Sequence, residues 1–417
     1  MATQIWQPSR GHNPRGFSAA VILGAAAMMC TANAAGAGTA APSAPPAENA
    51  TVPTASPPSV LHVATFDSGF GGYLTAKSIE AASVPLLRDY DTTITVHHYG
   101  DTKNLPYGEK TPDQIAKLGS AGVLKAFDEG ADMVFIACNT ASTQYARIRR
   151  AVDEAYPGQL KPVFSIIDVS TAEAKRLIDA TLSHKSTAVF AILATPATVR
   201  SMVYPRQLAA LYGAQITEAA PQVFTQPRWY RTLGPSVDSL VQKDVITLSG
   251  GRRIDVYQLA PANWVELIEH GADLKEKHAA VHRDLGLLLA AIPGHVAPDV
   301  VGYFCTHYPI LDGAIRADLA GRATGAANTH FIAQGALMAT LFQGMAEERL
   351  KGRARTHPLT DAQLAPLLEQ VRPSITISGA NGRTTRALAR SMFPGDPEPV
   401  VTEQDLGSID AAGAHTP

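Results

Sequence analysis

With 417 residues, 46% of them hydrophobic and 17% charged, the chain has the length and apolar content for two globular domains, each with its own core. Its formal charge of −2 offers no electropositive field for nucleic acid or for an anionic membrane surface.

The first 34 residues differ from the rest. Arg10 and Arg15 stand without an acidic residue, Phe17 to Met29 is an apolar run broken by Ser18 alone, and Ala32-Asn33-Ala34 supplies an Ala-x-Ala cleavage site. This pattern predicts a secretory signal peptide over 1–34, cleaved after Ala34, and a periplasmic or secreted protein. The run has 13 residues, short of the roughly 18 a spanning helix needs, so no integral membrane span is expected. Met29 is a poor residue to precede a lipidated cysteine, so Cys30 reads as part of the discarded segment rather than as a lipoprotein anchor. Loss of Arg10 and Arg15 takes the formal charge from −2 to −4 and leaves Cys138 and Cys305 as the cysteines of the mature chain.

Residues 35–60 carry Pro42, Pro45, Pro46, Pro53, Pro57 and Pro58 among Ala, Gly, Ser and Thr, a composition expected to form an extended, disordered linker. From Leu61 onward, β-rich runs alternate with helix-length segments: Leu61 to Phe66, Thr93 to Tyr99, Met133 to Ala137, Val163 to Ile167, Thr187 to Leu193 and Val300 to Phe304. Such alternation predicts an α/β fold of two doubly wound parallel-sheet domains facing a shared central cleft. The first domain is expected over 61–164 plus a returning segment 328–393, and the second over 165–327. Residues 221–259 interrupt the alternation and read as an inserted excursion, a hairpin over the site or at a subunit contact. Residues 394–417, with Pro394, Pro397 and Pro399, read as a disordered tail.

Several strand ends carry polar turns. Asp67-Ser68-Gly69-Phe70-Gly71-Gly72 follows the first strand and offers backbone amides to an anion; a purely structural glycine turn reads equally well from these residues alone. Gly100 to Gly108, with Asp101, Pro106 and Tyr107, is too long and polar for a mere connector and could bind a carboxylate with Tyr107 closing the pocket.

Cys138 and Cys305 each end an apolar run and open a polar cluster, Cys138-Asn139-Thr140-Ala141-Ser142 and Cys305-Thr306-His307-Tyr308-Pro309. An exported chain with two cysteines would ordinarily be read as holding one structural disulfide. These two sit instead at strand ends beside Asn, Thr and His, where the carboxyl edges of parallel strands line one crevice and a thiolate can be stabilised. Two thiols facing one cleft can invert a carbon centre without a cofactor: one removes the α-proton while the other supplies a proton to the opposite face. Neither a pyridoxal phosphate lysine nor a metal-ligand cluster stands out, so no cofactor and no metal are expected.

Together these residues resemble the glutamate racemase family, within the aspartate/glutamate racemase superfamily. Four motifs occur in the family's order between about Val63 and Met345: Phe66 to Gly72, Gly100-Asp101 through Pro106-Tyr107-Gly108, Cys138 to Ser142, and Cys305 to Pro309. Two weaker segments agree, Thr195-Pro196-Ala197-Thr198-Val199 with Tyr204, and Trp264 to Gly271 with Glu269 at the family's acidic position. The resemblance implies that Cys138 and Cys305 are the catalytic acid and base, assisted by Asp67, His307 and Glu269. It implies an amino-acid substrate held by Ser68, Asp101, Pro106, Tyr107, Gly108, Asn139, Thr140, Thr198 and Thr306, with glutamate as first choice. A homodimer is implied too.

Departures bear on the substrate. Pro196 stands where the family has Arg, Asp168 adds a carboxylate after the fourth strand, and 221–259 is extra. Alternatives are another reaction of the superfamily, such as aspartate or hydantoin racemisation or an isomerisation, and a catalytically silent periplasmic amino-acid-binding protein.

Overall fold

The computed structural model describes residues 59–224 and 238–407. The expected signal peptide, most of the linker, residues 225–237 of the excursion and the last ten residues lie outside the described residues.

The chain opens with β1 (Ser59–Asp67), α1 (Tyr73–Asp89), β2 (Thr92–Gly100) and α2 (Pro112–Asp128). It continues through β3 (Met133–Ile136), the short α3 (Asn139–Ser142), α4 (Tyr145–Ala155), β4 (Val163–Ser165) and α5 (Ile166–Leu182). Local chemistry sets several boundaries. Thr111 and Gln114 form a capping box before α2, with Pro112 at the first helical position. The Ser165 hydroxyl accepts from the Ile167 N–H, so the apolar run Val163 to Ile167, expected to be all strand, turns helical at Ile166.

The second domain holds β5 (Thr187–Ala194), α6 (Pro196–Ser201), α7 (Val203–Leu211), β6 (Gln215–Glu218), β7 (Gln222–Phe224), β8 (Ser239–Thr247) and β9 (Arg253–Ala260). It goes on with α8 (Trp264–Glu269), α9 (Leu274–Ala291), β10 (Val300–Phe304), α10 (Asp312–Arg322) and β11 (His330–Ile332). The chain then returns through α11 (Gln334–Arg349), α12 (Asp361–Val371), β12 (Ser374–Ile377), α13 (Gly382–Met392) and β13 (Val401–Glu403).

The first sheet runs β13-β12-β2-β1-β3-β4 with every pair parallel, and the second runs β11-β10-β5-β9-β8-β6, with β7 also on β8. In each domain the first strand is flanked by a later strand on either side, β1 by β2 and β3, β5 by β9 and β10. Strand order reverses there, and at such a switch point the loops beyond the strand ends splay apart to leave a crevice. Buried apolar side chains continue across both domains, with Val63, Phe135 and Phe342 in the same cluster as Phe190, Val256 and Phe304.

Four expectations are corrected. The second sheet is mixed, because β6, β7 and β9 pair with β8 in antiparallel fashion. The described parts of 221–259 build the second sheet rather than an excursion from it: β7 and β8 pair with each other, and β9 lies inside the sheet, parallel to β5, with its residues beyond Arg253 buried. On the adjoining β8, Asp244 is buried and satisfied by Gln242 and by Gln258 of β9. The second domain reaches past 327, since β11 pairs with β10, Val300 opposite His330, before the chain crosses back at Ala333. The tail is ordered through 407: β13 adds to β12, and Leu406, 4% exposed, packs with Tyr107 and Phe127. Three prolines in the connection masked a strand of three residues.

Candidate active site

The segments beyond β1, β2, β3, β5, β9 and β10 line a cleft of about 310 Å³. Its wall comprises Asp67, Ser68, Pro106, Tyr107, Gly108, Cys138, Asn139, Thr140, Thr195, Val265, Cys305, Thr306 and His307. The two cysteines, 167 positions apart in the chain, thus face one space from different domains. Each follows the strand that neighbours its domain's first strand, β3 beside β1 and β10 beside β5. Both are free thiols and buried.

On the first-domain side, Asp67 ends β1 fully buried. Its Oδ2 accepts from the Gly72 N–H at 2.8 Å and from the Thr306 hydroxyl at 3.1 Å, so one carboxylate joins its own turn to the opposite domain. Its Oδ1 has no hydrogen-bond partner among the described residues. Burial raises the Asp67 pKa, opposed by the nearby His307 charge and by these donors. The Cys138 sulfur accepts from the Ala141 N–H at 3.4 Å and lies 3.5 Å from the Ser68 hydroxyl. Burial and then the Asp67 charge push the Cys138 thiol far up, and the Ala141 and Ser68 donors only partly offset them. Cys138 therefore rests as a protonated thiol.

On the second-domain side, the sulfur of Cys305 lies 3.8 Å from His307 Nδ1. The other ring nitrogen, Nε2, is 2.6 Å from Glu269 Oε1, which also accepts the Phe70 N–H at 2.9 Å. Burial works against charge on His307, but Cys305 and the Glu269 carboxylate raise its pKa well above the ordinary value. Glu269 moves down, its burial outweighed by His307. The pair is an imidazolium and a carboxylate, and a cation beside a sulfur stabilises a thiolate.

The domains fit closely at this seam. A Cβ on Gly71 would lie 2.5 Å from Thr306 Oγ1 and 2.8 Å from His307 Nδ1, so glycine is required for the turn to approach the second domain. Thr140 Oγ1 lies 2.7 Å from Thr195 Oγ1 across the same seam.

Three of the residues expected in the site stand behind the wall. Glu269 backs His307. Asp101 accepts from the Tyr107 hydroxyl at 2.6 Å and from Ser378 at 2.5 Å, so it braces Tyr107. Thr198 supports Thr140 and Thr195. Asp168 is off the wall as well, its Oδ1 accepting from Gln207 at 2.7 Å, so its carboxylate does not oppose an anionic substrate in the cleft. Sequence reasoning missed Thr195 and Val265 as wall residues. For Thr195 the signal was present, because Thr-Pro at the start of a helix marks an N-cap followed by its first turn. Val265 carried none beyond its place in the segment leading to Glu269.

Among the described residues, no group of three or more His, Cys, Asp or Glu is placed to hold a metal ion, and no helix is long and apolar enough to cross a membrane. The wall has no Lys or Arg, so apart from the His307 imidazolium the donors available to substrate anions are neutral N–H and O–H groups.

Two α/β domains with thiols on facing sides of a polar, enclosed cleft define an isomerase of the amino-acid racemase class. Similarity to known proteins agrees. The chain is 28% identical to the glutamate racemase of Paracoccus denitrificans (strain Pd 1222) over 276 residues, 66% of this chain and 83% of that relative. It is 29% identical to that of Ruegeria pomeroyi over 254 residues, 60% of this chain and 75% of the relative. Among solved structures, a glutamate racemase isoform from Bacillus anthracis superposes with a TM-score of 0.55 at 17% identity, covering 83% of this chain and 98% of that one. The glutamate racemase of Thermus thermophilus gives a TM-score of 0.51 at 21% identity, with 83% and 97% covered. At these identities the superpositions speak to the fold. No family model matches the chain. In sequence and in fold the chain is thus similar to the glutamate racemases.

Proposed function

We propose that the protein interconverts L- and D-glutamate by two-thiol proton transfer without a cofactor. The observation that carries this is the presence of Cys138 and Cys305 on the wall of one cleft, contributed by different domains. Cys305, beside the His307 imidazolium, takes the α-proton as a thiolate, and the protonated Cys138 gives its proton to the opposite face of the carbon. The turnover leaves Cys305 protonated and Cys138 ionised, the state from which the other enantiomer reacts.

The α-proton is weakly acidic, so charge developing on the substrate carboxylate must be met by placed donors in a water-poor site. Ser68, Asn139, Thr140 and Thr306 supply neutral donors there, and the backbone beside Tyr107 and Gly108 offers amides to a second carboxylate. Glutamate is favoured because the relatives are named for it and Asp168 lies outside the cleft.

We further propose that the enzyme acts in the periplasm or outside the cell, as a homodimer, on D-glutamate of the cell envelope. Support for export is the signal-like composition of residues 1–34. A mature N-terminus at Ala35 in a fractionated cell checks it, and a retained Met1 opposes it.

The test is proton NMR of reduced protein in heavy water with L-glutamate, L-aspartate and a panel of other L-amino acids, read beside chiral chromatography. Exchange of the α-proton with appearance of the D-isomer, lost in both Cys138→Ser and Cys305→Ser, supports the proposal and names the substrate. Binding without exchange overturns it in favour of a silent amino-acid-binding protein.

A further inference from the structure

Where the chain crosses back from the second domain, it places Gln334, the first residue of α11, in a buried polar cluster drawn from four elements. Gln334 Oε1 accepts from Asn139 Nδ2 at 2.7 Å. Its Nε2 lies 2.7 Å from Ser170 Oγ, 3.0 Å from Asn139 Oδ1 and 3.0 Å from the Tyr204 hydroxyl. The Tyr204 hydroxyl donates to Asn139 Oδ1. All four side chains are buried, and of the four Asn139 alone lines the cleft.

The hydrogen count fixes the orientation of every amide in this cluster. The Ser170 hydroxyl gives its hydrogen to the Ile166 carbonyl at 2.6 Å, so towards Gln334 it can only accept. That sets Gln334 Nε2 on the Ser170 side and leaves Oε1 for Asn139 Nδ2. Both lone pairs of Asn139 Oδ1 are then engaged, by Tyr204 and Gln334, and one of its two N–H groups is used. What remains is a single N–H on a side chain that borders the cleft. Flipping the Asn139 amide would oppose donor to donor and acceptor to acceptor among buried groups, which folded proteins avoid.

We propose that Gln334, acting with Tyr204, is a positioning residue that holds Asn139 as an obligate hydrogen-bond donor to the substrate's carboxylate. The proposal rests on the amino-acid racemase reading for its ligand. The same cluster ties the two catalytic halves together: Asn139 adjoins Cys138, while the Tyr204 ring stacks on Phe304, next to Cys305, with centroids 3.8 Å apart. Tyr204 lies on α7 of the second domain and Gln334 on α11 of the returning chain, so the donor is set by contacts from both domains.

The test uses Gln334→Met, which keeps length and removes every hydrogen bond made by the Gln334 amide, measured alone and in an Asn139→Ala background. For the amino acid that wild type racemises, KM is expected to rise about tenfold with a smaller fall in kcat, the scale of one lost hydrogen bond to a charged group. In the Asn139→Ala background the second substitution should change nothing further. An unchanged KM, or the same rise in both backgrounds, overturns the proposal. If Gln334→Met does not fold, Tyr204→Phe, which deletes one donor to Asn139, is read in the same cycle. A readout independent of turnover is the side-chain amide signal of Asn139 in protein labelled with ¹⁵N-asparagine, assigned by its loss in Asn139→Ala. In wild type it should be single and protected from exchange, and in the Gln334 or Tyr204 variant it should lose that protection. If wild type racemises nothing, the functional reading fails while this signal still decides the role of Gln334; an amide equally protected in wild type and variant overturns it.

Discussion

Glu269 holds His307 by the nitrogen remote from the thiol: Oε1 lies 2.6 Å from Nε2, while Nδ1 faces the sulfur of Cys305 at 3.8 Å. Because the same oxygen accepts the Phe70 N–H, the carboxylate that charges the imidazole also fastens the first domain's glycine turn to the second domain.

Glu269→Gln should therefore cost both stability and pH range. The folded His307 pKa is raised, so its contribution is complete below about 6.5 and is lost as pH rises through the folded value. The Glu269 pKa is lowered, so its contribution is present above about 4.3 and is lost as pH falls through the folded value. Between those limits the variant should be about 3 kcal/mol less stable, as expected for breaking a buried pair from one side. Denaturant melts across pH check this, with the difference shrinking at both extremes, and the alkaline limb of racemisation should move to lower pH.

Asp67→Asn should uncouple thiol ionisation from turnover. Removing the carboxylate charge deletes the second of the two influences that push Cys138 up, leaving burial. In a Cys305→Ser background, alkylation of Cys138 by iodoacetamide should begin at lower pH in the Asn variant. With both cysteines present, racemisation should nonetheless fall, since the Asp67 contact to Thr306 is weakened. Alkylation that shifts to higher pH would contradict the assignment.

Gly71→Ala should damage the seam rather than either domain. The added methyl would meet Thr306 Oγ1 and His307 Nδ1, and overpacking of this kind costs about 1–3 kcal/mol. Circular dichroism should stay as in wild type while kcat/KM falls at least tenfold.

Leu406→Ala should destabilise the first domain by about 2–4 kcal/mol, the usual cost of truncating a buried leucine. A disordered tail would show no change, so a denaturation midpoint equal to wild type would count against the order described for 394–407. Tyr107 shares that cluster, so a modest rise in KM should accompany the loss.

The sequence by itself determined what short stretches of chain encode. A buried parallel strand and the polar turn that ends it form one short continuous stretch of chain, so the strand ends at Asp67, Cys138 and Cys305 were legible, and with them most of the cleft wall. The class of fold followed from the same alternation of strands and helices. Tertiary structure decided everything that depends on partners distant in sequence. Asp101 and Thr198 read as substrate contacts, yet Ser378, Tyr107, Thr140 and Thr195 take up their hydrogen-bonding groups, and Glu269 works through His307. Residues 221–259 read as a break in the alternation, but Asp244 on β8 is satisfied inside the domain by Gln242 beside it and by Gln258 on β9. Gln334 carries no local signal, because its role arises where Asn139, Ser170 and Tyr204 meet it, 195, 164 and 130 residues away. Local propensity fixes where a side chain leaves a strand, but burial and hydrogen-bond satisfaction, which are properties of the whole packed chain, fix whether it faces substrate or supports a neighbour that does.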